Sequence, residues 1–487
     1  MIIELISVFL VYLGGFILIY SLGIRGYFSF SLGFIVGLSM QVVVGGMQII
    51  TILPPTPVLT LSLMIILPAF WLFNKKNTYS INRDSISAFC SSVSIIFAIV
   101  TMSVIPFFYE GWFVWTYDSL RYILSGEIIY TNRIELLSED LLTKRMFSVP
   151  IINMPAVISG AGYLRAVFPL LGVSIVTTVM YIIKKSLEGL LSKNRVLILM
   201  ITGGLLLISN NRFIWHSFYI NGHLFCAALT MLISAFGWLI LFDKPQYSKS
   251  LFPLILIAIP ALVFTRPESV IIASILLVPM IGSAGFTLKQ KGALLVSLGA
   301  STVTFYGFAT WWLDGSIFSS YVLYLLYGIV ILLIAIILKF LYEFRFFKLL
   351  LNHAVLITEV VIWVALLLFS IRTSFIMTRS LNATYANLFL GAGLWGYSVV
   401  VLAVITILVL VFIKKPASMT LLRLPVTTFV PIMFILAFIS GGDGYRIGPG
   451  DSFNRMLIQI VPLTVIYIIL SIGFGKPRFA RRKDNES

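Results

Sequence analysis

Long apolar runs alternate with short polar breaks along the whole chain. About fifteen of these runs are long enough to cross a bilayer, which takes about 20 residues at 1.5 Å rise each. They fall at 3–23, 29–52, 58–73, 86–108, 164–183, 195–210, 219–242, 250–264, 269–286, 292–311, 318–338, 350–371, 389–413, 424–440 and 456–474. The shorter ones are expected to be broken or tilted. Between the fourth and fifth runs lies one long polar-aromatic segment, 109–163. It opens on Tyr109, Trp112, Phe113, Trp115 and Tyr117, the aromatic composition of a membrane interface. Within it, Ser119 to Ile129 carries apolar residues at helical spacing and predicts a helix lying in the interface. Pro150 and Pro155 are expected to break the chain after it.

Composition agrees with this pattern. The 487 residues are 60% hydrophobic and 11% charged, with a mean hydropathy of +1.05, against roughly 25% charged in a soluble domain. The fold class is therefore all-α and polytopic in a membrane. Weak alternating segments of about ten residues, the mark of a β-barrel, are lacking. Three regions are expected: 1–85 with three leading helices, 86–285 with the external loop 109–163, and 286–487 ending in a short basic tail. Cys90 and Cys226 both lie in apolar runs, so no disulfide framework is expected.

The formal charge of +16 suggests nucleic acid at first, but the excess sits beside the apolar runs. Roughly two-thirds of the 34 basic residues fall in every second loop: Arg25; Lys75, Lys76 and Arg83; Lys184, Lys185, Lys193 and Arg195; Lys244 and Lys249; Lys289 and Lys291; Lys339, Arg345 and Lys348; Lys414, Lys415 and Arg423; and the tail from Lys476. The positive-inside rule makes those loops cytoplasmic. The N-terminus is then outside, the C-terminus is inside, and the protein belongs to a cell membrane. Membrane lipid is a partner and nucleic acid is not.

The alternate loops hold the candidate chemistry. Asp118 follows the fourth run at the height of a lipid headgroup, where a carboxylate suits a general base; a solvated acid paired with Arg121 is the plainer reading. Glu127 shares its segment. Thr265-Arg266-Pro267-Glu268 joins two apolar runs without a spacer. Glu268 suits a helix N-terminus, whereas Arg266 is left unexplained by capping and is a good phosphate ligand. Arg212 and His216, with His223 seven residues on, form another outward turn. Seven residues are two helical turns, although Asn221-Gly222 favours a break. The glycine-rich stretch from Gly441 to Arg455 carries Asp443 and Asp451, and its Arg455 stands at the start of an apolar run, the wrong end of a helix for a cation. Asp314 is a fainter candidate, and Glu359 is an acid deep within a run. No phosphate-binding loop, dinucleotide fingerprint, nucleophile elbow or zinc-protease motif occurs in the required context.

Three patches carry a family resemblance. Asp118 follows a span in the first large external loop, Thr265-Arg266-Pro267-Glu268 opens a helix on the same face (with Ser269 where a glycine is common), and Asn454-Arg455 precedes Pro462 at a late span. In these the chain resembles the GT-C superfamily of membrane glycosyltransferases, whose members include polyprenyl-phosphate-sugar-dependent mannosyl- and arabinosyltransferases. The resemblance implies a transferase of the outer face. Its partners would be a polyprenyl-phosphate sugar donor and a glycan or lipid acceptor of the cell envelope. Asp118 would be the catalytic base; Arg266, Arg455 and Arg212 would hold the donor phosphate; Trp115, Tyr117, Glu127, Glu268, His216 and Asp451 would contact substrate. A divalent cation, magnesium or manganese, is allowed but not required as a cofactor. The chain departs from the family in its three leading spans and in having no acidic pair adjacent to Asp118, Glu139-Asp140 coming later. A lipid-linked polysaccharide polymerase or ligase, with Arg372 and Arg379 essential, is a second reading. A flippase or transporter of a lipid-linked glycan is a third, and it requires ionisable residues along a central path.

Overall fold

The computed structural model describes residues 2–24, 28–51, 53, 56–74, 117–131, 133, 136, 146–159, 163–164, 166–243, 245–312, 320–439 and 445–477. Its helices, in chain order, are α1 (Ile2–Ser21), α2 (Phe28–Ile50), α3 (Pro57–Asn74), α4 (Tyr117–Tyr130), α5 (Ser148–Asn153), α6 (Val167–Leu187), α7 (Lys193–Ile208), α8 (Asn211–His216), α9 (Gly222–Asp243), α10 (Pro245–Val263), α11 (Ser269–Gly282), α12 (Leu288–Trp312), α13 (Ser320–Leu341), α14 (Arg345–Asn352), α15 (Ala354–Arg372), α16 (Ser374–Leu388), α17 (Ser398–Phe412), α18 (Thr420–Ile439), α19 (Ser452–Met456) and α20 (Val461–Phe474). Among the described residues the only sheet is the pair β1 (Ile413–Lys414) and β2 (Lys476–Pro477).

Seven of these helices are long and apolar enough to cross a membrane, and an eighth span is formed if α19 and α20, bent by 45°, count as one. Six further apolar helices are shorter. The expected fifteen full-length spans are therefore not seen as such: fourteen of the apolar runs are described and each holds a helix, but several are short or broken, and the run 86–108 lies outside the described residues.

Burial orders the bundle. The apolar stretch of α9 is 94% buried, and it packs on α6, α10, α11, α18 and α20. That of α15 is 0% buried; it exposes Val361, Leu367 and Ile371. Such a continuous apolar surface on α13, α15 and α17 is unsuited to water and suited to lipid. The leading helices are integral to the core, because α2 packs on α6 and α10 as well as on α1. A Cβ at Gly15 would strike the backbone of Gly33, so small residues let α1 and α2 approach closely.

Loops of the same kind meet one another. Ser250 donates to Leu22 O at 2.6 Å, Lys291 and Lys348 both lie over the Tyr342 ring, and Lys414 pairs with Lys476 across β1 and β2. All of these come from the Lys/Arg-rich set. From the other set, Phe147 N and Ser148 N donate to Phe264 O, and Arg212 reaches Pro449 O.

Local departures from the pattern have local causes. The helix expected over Ser119 to Ile129 forms as α4, but Pro150 does not break the chain: it sits in the first turn of α5, where its missing N–H costs nothing. Pro155 follows in a 3-10 turn, Met154–Ser159. The run 389–413 is helical only from Ser398, because Gly391, Leu394 and Gly396 have left-handed φ of 82°, 62° and 63°. Trp395 between them is buried and donates to Asn454 Oδ1. The preceding stretch, expected as a loop, is helix α16. Glu359 is a structural acid: it accepts from Arg423 Nη2 at 2.6 Å and Thr427 Oγ1 at 2.8 Å, tying α15 to α18.

Candidate functional site

Three non-adjacent turns and the start of α9 converge on one polar cluster. Asn210 Oδ1 accepts from Arg212 N at 3.0 Å and Phe213 N at 3.1 Å, capping α8; such a cap stabilises a helix by about 1 kcal/mol. The helix stops at His216, and Asn221 Oδ1 then accepts from His223 N at 3.1 Å where α9 begins. The two histidines thus stand on separate helices, yet their ring centroids are 6.0 Å apart. Gly222 is held against the second turn: a Cβ there would meet Thr265 Cγ2 at 3.0 Å. The third turn, ending in α19, is pinned by Asp451, whose Oδ1 accepts from Arg446 N at 2.6 Å and whose Oδ2 accepts from Asn454 N at 2.8 Å.

Into this frame the sequence places three guanidiniums. Arg212 is fully buried, lies 4.3 Å over the Trp215 ring, and donates through Nη2 to Pro449 O. Its Nε and Nη1 have no hydrogen-bond partner among the described residues. Arg455 Nη1 donates to Tyr219 OH at 3.2 Å. Arg266, 13% exposed at its side chain, donates through Nε to Glu268 Oε1 at 2.5 Å and lies in the field of Tyr122 on α4.

The histidines have complementary tautomers. His216 Nδ1 lies 2.8 Å from Arg212 O, a pure acceptor, so Nδ1 carries the proton and Nε2 a free lone pair. His223 Nδ1 accepts from Gln459 Nε2 at 3.0 Å, so its proton is on Nε2. Neither Nε2 has a partner among the described residues. A buried lone-pair acceptor and a buried N–H donor therefore lie in the field of the guanidiniums.

The electrostatics favour an anion. Burial, then Arg455, pulls the Arg212 guanidinium down to about 10. Burial works against Arg266 as well, but Glu268 more than restores it and the group titrates above its ordinary value. Burial raises the Asp451 carboxyl, with its two N–H partners opposing. Three cations thus face two carboxylates, one of which is engaged by Arg266 and the other by backbone. Desolvated N–H donors without acceptors are costly, and a phosphate would satisfy both charge and hydrogen bonds.

His216 is pushed well below its usual range, by burial first and then by Arg212. A base whose folded value is depressed is neutral in the fold and takes up a proton in the unfolded chain. Its contribution to stability is present above about pH 6.5 and lost as pH falls, by up to about 1.4 kcal/mol per unit. The opening equilibrium of amides across 210–222, read as the exchange rate divided by the intrinsic rate at each pH, is expected to rise as pH falls from about 6.5 to 5, and His216→Gln should flatten that profile. A wild-type profile independent of pH would contradict the neutral, buried imidazole.

Of the residues singled out in the sequence, Arg212, His216, Arg266, Glu268, Asp451 and Arg455 come together. Two roles change. Glu268 makes no side-chain cap to α11 and instead pairs with Arg266. Arg455 does not open a long helix: it lies in the last turn of the short α19, where a cation suits the dipole, because the span bends before α20. Asp451 caps α19 and holds Arg446 N, and among the described residues no three of His, Cys, Asp and Glu converge as a metal set. Glu127 is exposed and has no described contact with the cluster. Asp118 and Tyr117 are in the first turn of α4, with side chains outside the described residues; Trp115, Asp314 and Asp443 lie outside them altogether. Tyr219, Gln459 and Tyr122 were not anticipated. Gln459, an amide inside the last apolar run, is the one whose signal was visible.

No family model, curated protein or solved structure matches this chain.

Proposed function

We propose that this chain is an integral membrane glycosyltransferase of GT-C type, transferring a sugar from a polyprenyl-phosphate donor to an envelope glycan or lipid acceptor on the non-cytoplasmic face. The observation that carries the reading is the cluster of Arg212, Arg455 and Arg266 with His216 and His223, in which the buried Arg212 Nε and Nη1 and the two histidine Nε2 atoms have no hydrogen-bond partner among the described residues and suit a phosphate. The charge bias of the loops supports the orientation, with the N-terminus outside and the C-terminus cytoplasmic.

In this mechanism the acceptor hydroxyl gives its proton to Asp118 and its oxygen bonds to the anomeric carbon. The bond from that carbon to the phosphate oxygen breaks, and its electron pair leaves with the lipid phosphate. Arg212 and Arg455 stabilise the growing charge, an effect that preorganised donors in a dry site make large. His223 Nε2–H is a further donor. Arg266, paired with Glu268, lies in the field of Tyr122 on α4, the helix whose first turn holds Asp118. A magnesium or manganese ion, if bound, would add charge neutralisation at the donor phosphate.

Donor binding tests the reading before any turnover. The full chain in lipid nanodiscs should retain polyprenyl phosphate in native mass spectrometry, and Arg212→Ala should weaken it at least about tenfold, as expected for a lost charged hydrogen bond. Equal retention by that variant would remove the phosphate site from the cluster. A flippase would instead place its ionisable groups along a path, but Glu359, the deep acid, is engaged by Arg423 and Thr427.

A further inference from the structure

Beside the cluster, α16 and the turn after α18 enclose an open groove of about 510 Å³. Phe375, Thr378, Arg379 and Asn382 line it from α16, and Tyr445 and Arg446 from the turn. Both arginines are exposed, and neither meets a carboxylate among the described residues. Tyr445 is only 3% exposed, held by ring contacts to Phe434 and Phe453 at 5.4 and 5.2 Å, and its hydroxyl has no hydrogen-bond partner among the described residues. The wall thus combines two guanidiniums, a fixed phenol, an amide, a hydroxyl and an exposed aromatic ring. Guanidiniums recognise phosphate; the remainder suits a hydroxyl-rich ring with one apolar face.

The groove shares its wall with the arginine cluster. Asn387 Nδ2 donates to Arg446 O at 2.8 Å and Asn387 Oδ1 accepts from Gly448 N at 2.7 Å, while Asp451 holds Arg446 N. Pro449, three residues after Arg446, offers its carbonyl to Arg212. Three residues span at most about 11 Å, so one short turn presents a guanidinium to the groove and a carbonyl to the phosphate cluster.

We propose that this groove binds a phosphorylated saccharide, as the headgroup of the second substrate. The assignment as second substrate rests on the transferase reading; the binding does not. The test is a calorimetric titration of the full chain in phosphatidylcholine nanodiscs with glucose phosphate. The double variant Arg379→Ala, Arg446→Ala should bind it at least about tenfold more weakly. The double variant leaves the main-chain bonds of Arg446 in place, and it should retain polyprenyl phosphate normally. Absence of wild-type binding, or undiminished binding by the double variant, would overturn the groove. So would loss of glucose phosphate binding on adding phosphatidylglycerol, which would make the arginines a lipid-headgroup contact. Because polyprenyl phosphate is read separately with Arg212→Ala, failure of the groove leaves the phosphate cluster standing, and failure of the cluster is seen on its own.

Discussion

Arg212→Ala is expected to lower the rate of sugar transfer by about a hundredfold to a thousandfold, the range for removing one preorganised donor from a charge-stabilising site. Arg212 is buried, is aligned by the Asn210 cap through its own backbone N–H, and keeps two N–H-bearing nitrogens without partners. No group among the described residues satisfies those atoms, and in the proposed mechanism the departing phosphate does. Arg212→Lys should restore only a small part of the rate, because an ammonium keeps the charge but not the fork. Initial rates with a saturating donor, alongside a thermal melt, separate chemistry from folding. A variant of normal stability that turns over within a few-fold of wild type would show that the buried guanidinium serves the fold alone.

Asp118→Asn should reduce transfer by about a hundredfold to ten-thousandfold, the usual worth of a positioned general base, while donor binding stays as in the wild type. Asn keeps the size of the side chain and removes its basicity, and Asp118 lies in the first turn of α4, one turn before the buried Tyr122. The discriminating readout is therefore the split between rate and affinity. Weakened donor binding with the rate constant unchanged would make Asp118 a binding residue, and normal turnover would remove it from the mechanism.

How much of this was legible in the amino-acid order differs from element to element. The fourteen described apolar runs each hold a helix because a backbone in lipid must satisfy its hydrogen bonds within the segment. Arg212, Arg266 and Arg455, assigned to one face by charge alternation alone, do meet in space. What stayed hidden depends on tertiary partners. The ring contact between His216 and His223 arises across a helix break, so no periodicity announces it. Gln459 fixes the His223 tautomer from 236 positions away. The late start of α17 follows from three left-handed residues and a buried Trp395, and Leu394 carries no sequence signal for such a conformation. Glu359, an acid deep within an apolar run, is anchored as the partner of Arg423, which the order of residues alone does not reveal. A charge inside a span marks either chemistry or an ion pair, and only the position of the partner decides which.

The most direct test of the central claim is transfer itself. The full chain in liposomes is given radiolabelled polyprenyl-phosphate sugars with an envelope-lipid extract, beside Asp118→Asn. The account predicts label in a new glycan or lipid product with wild type and none with the variant. Label that crosses the bilayer on its original lipid, with no product from any donor, would contradict a transferase and put a flippase in its place.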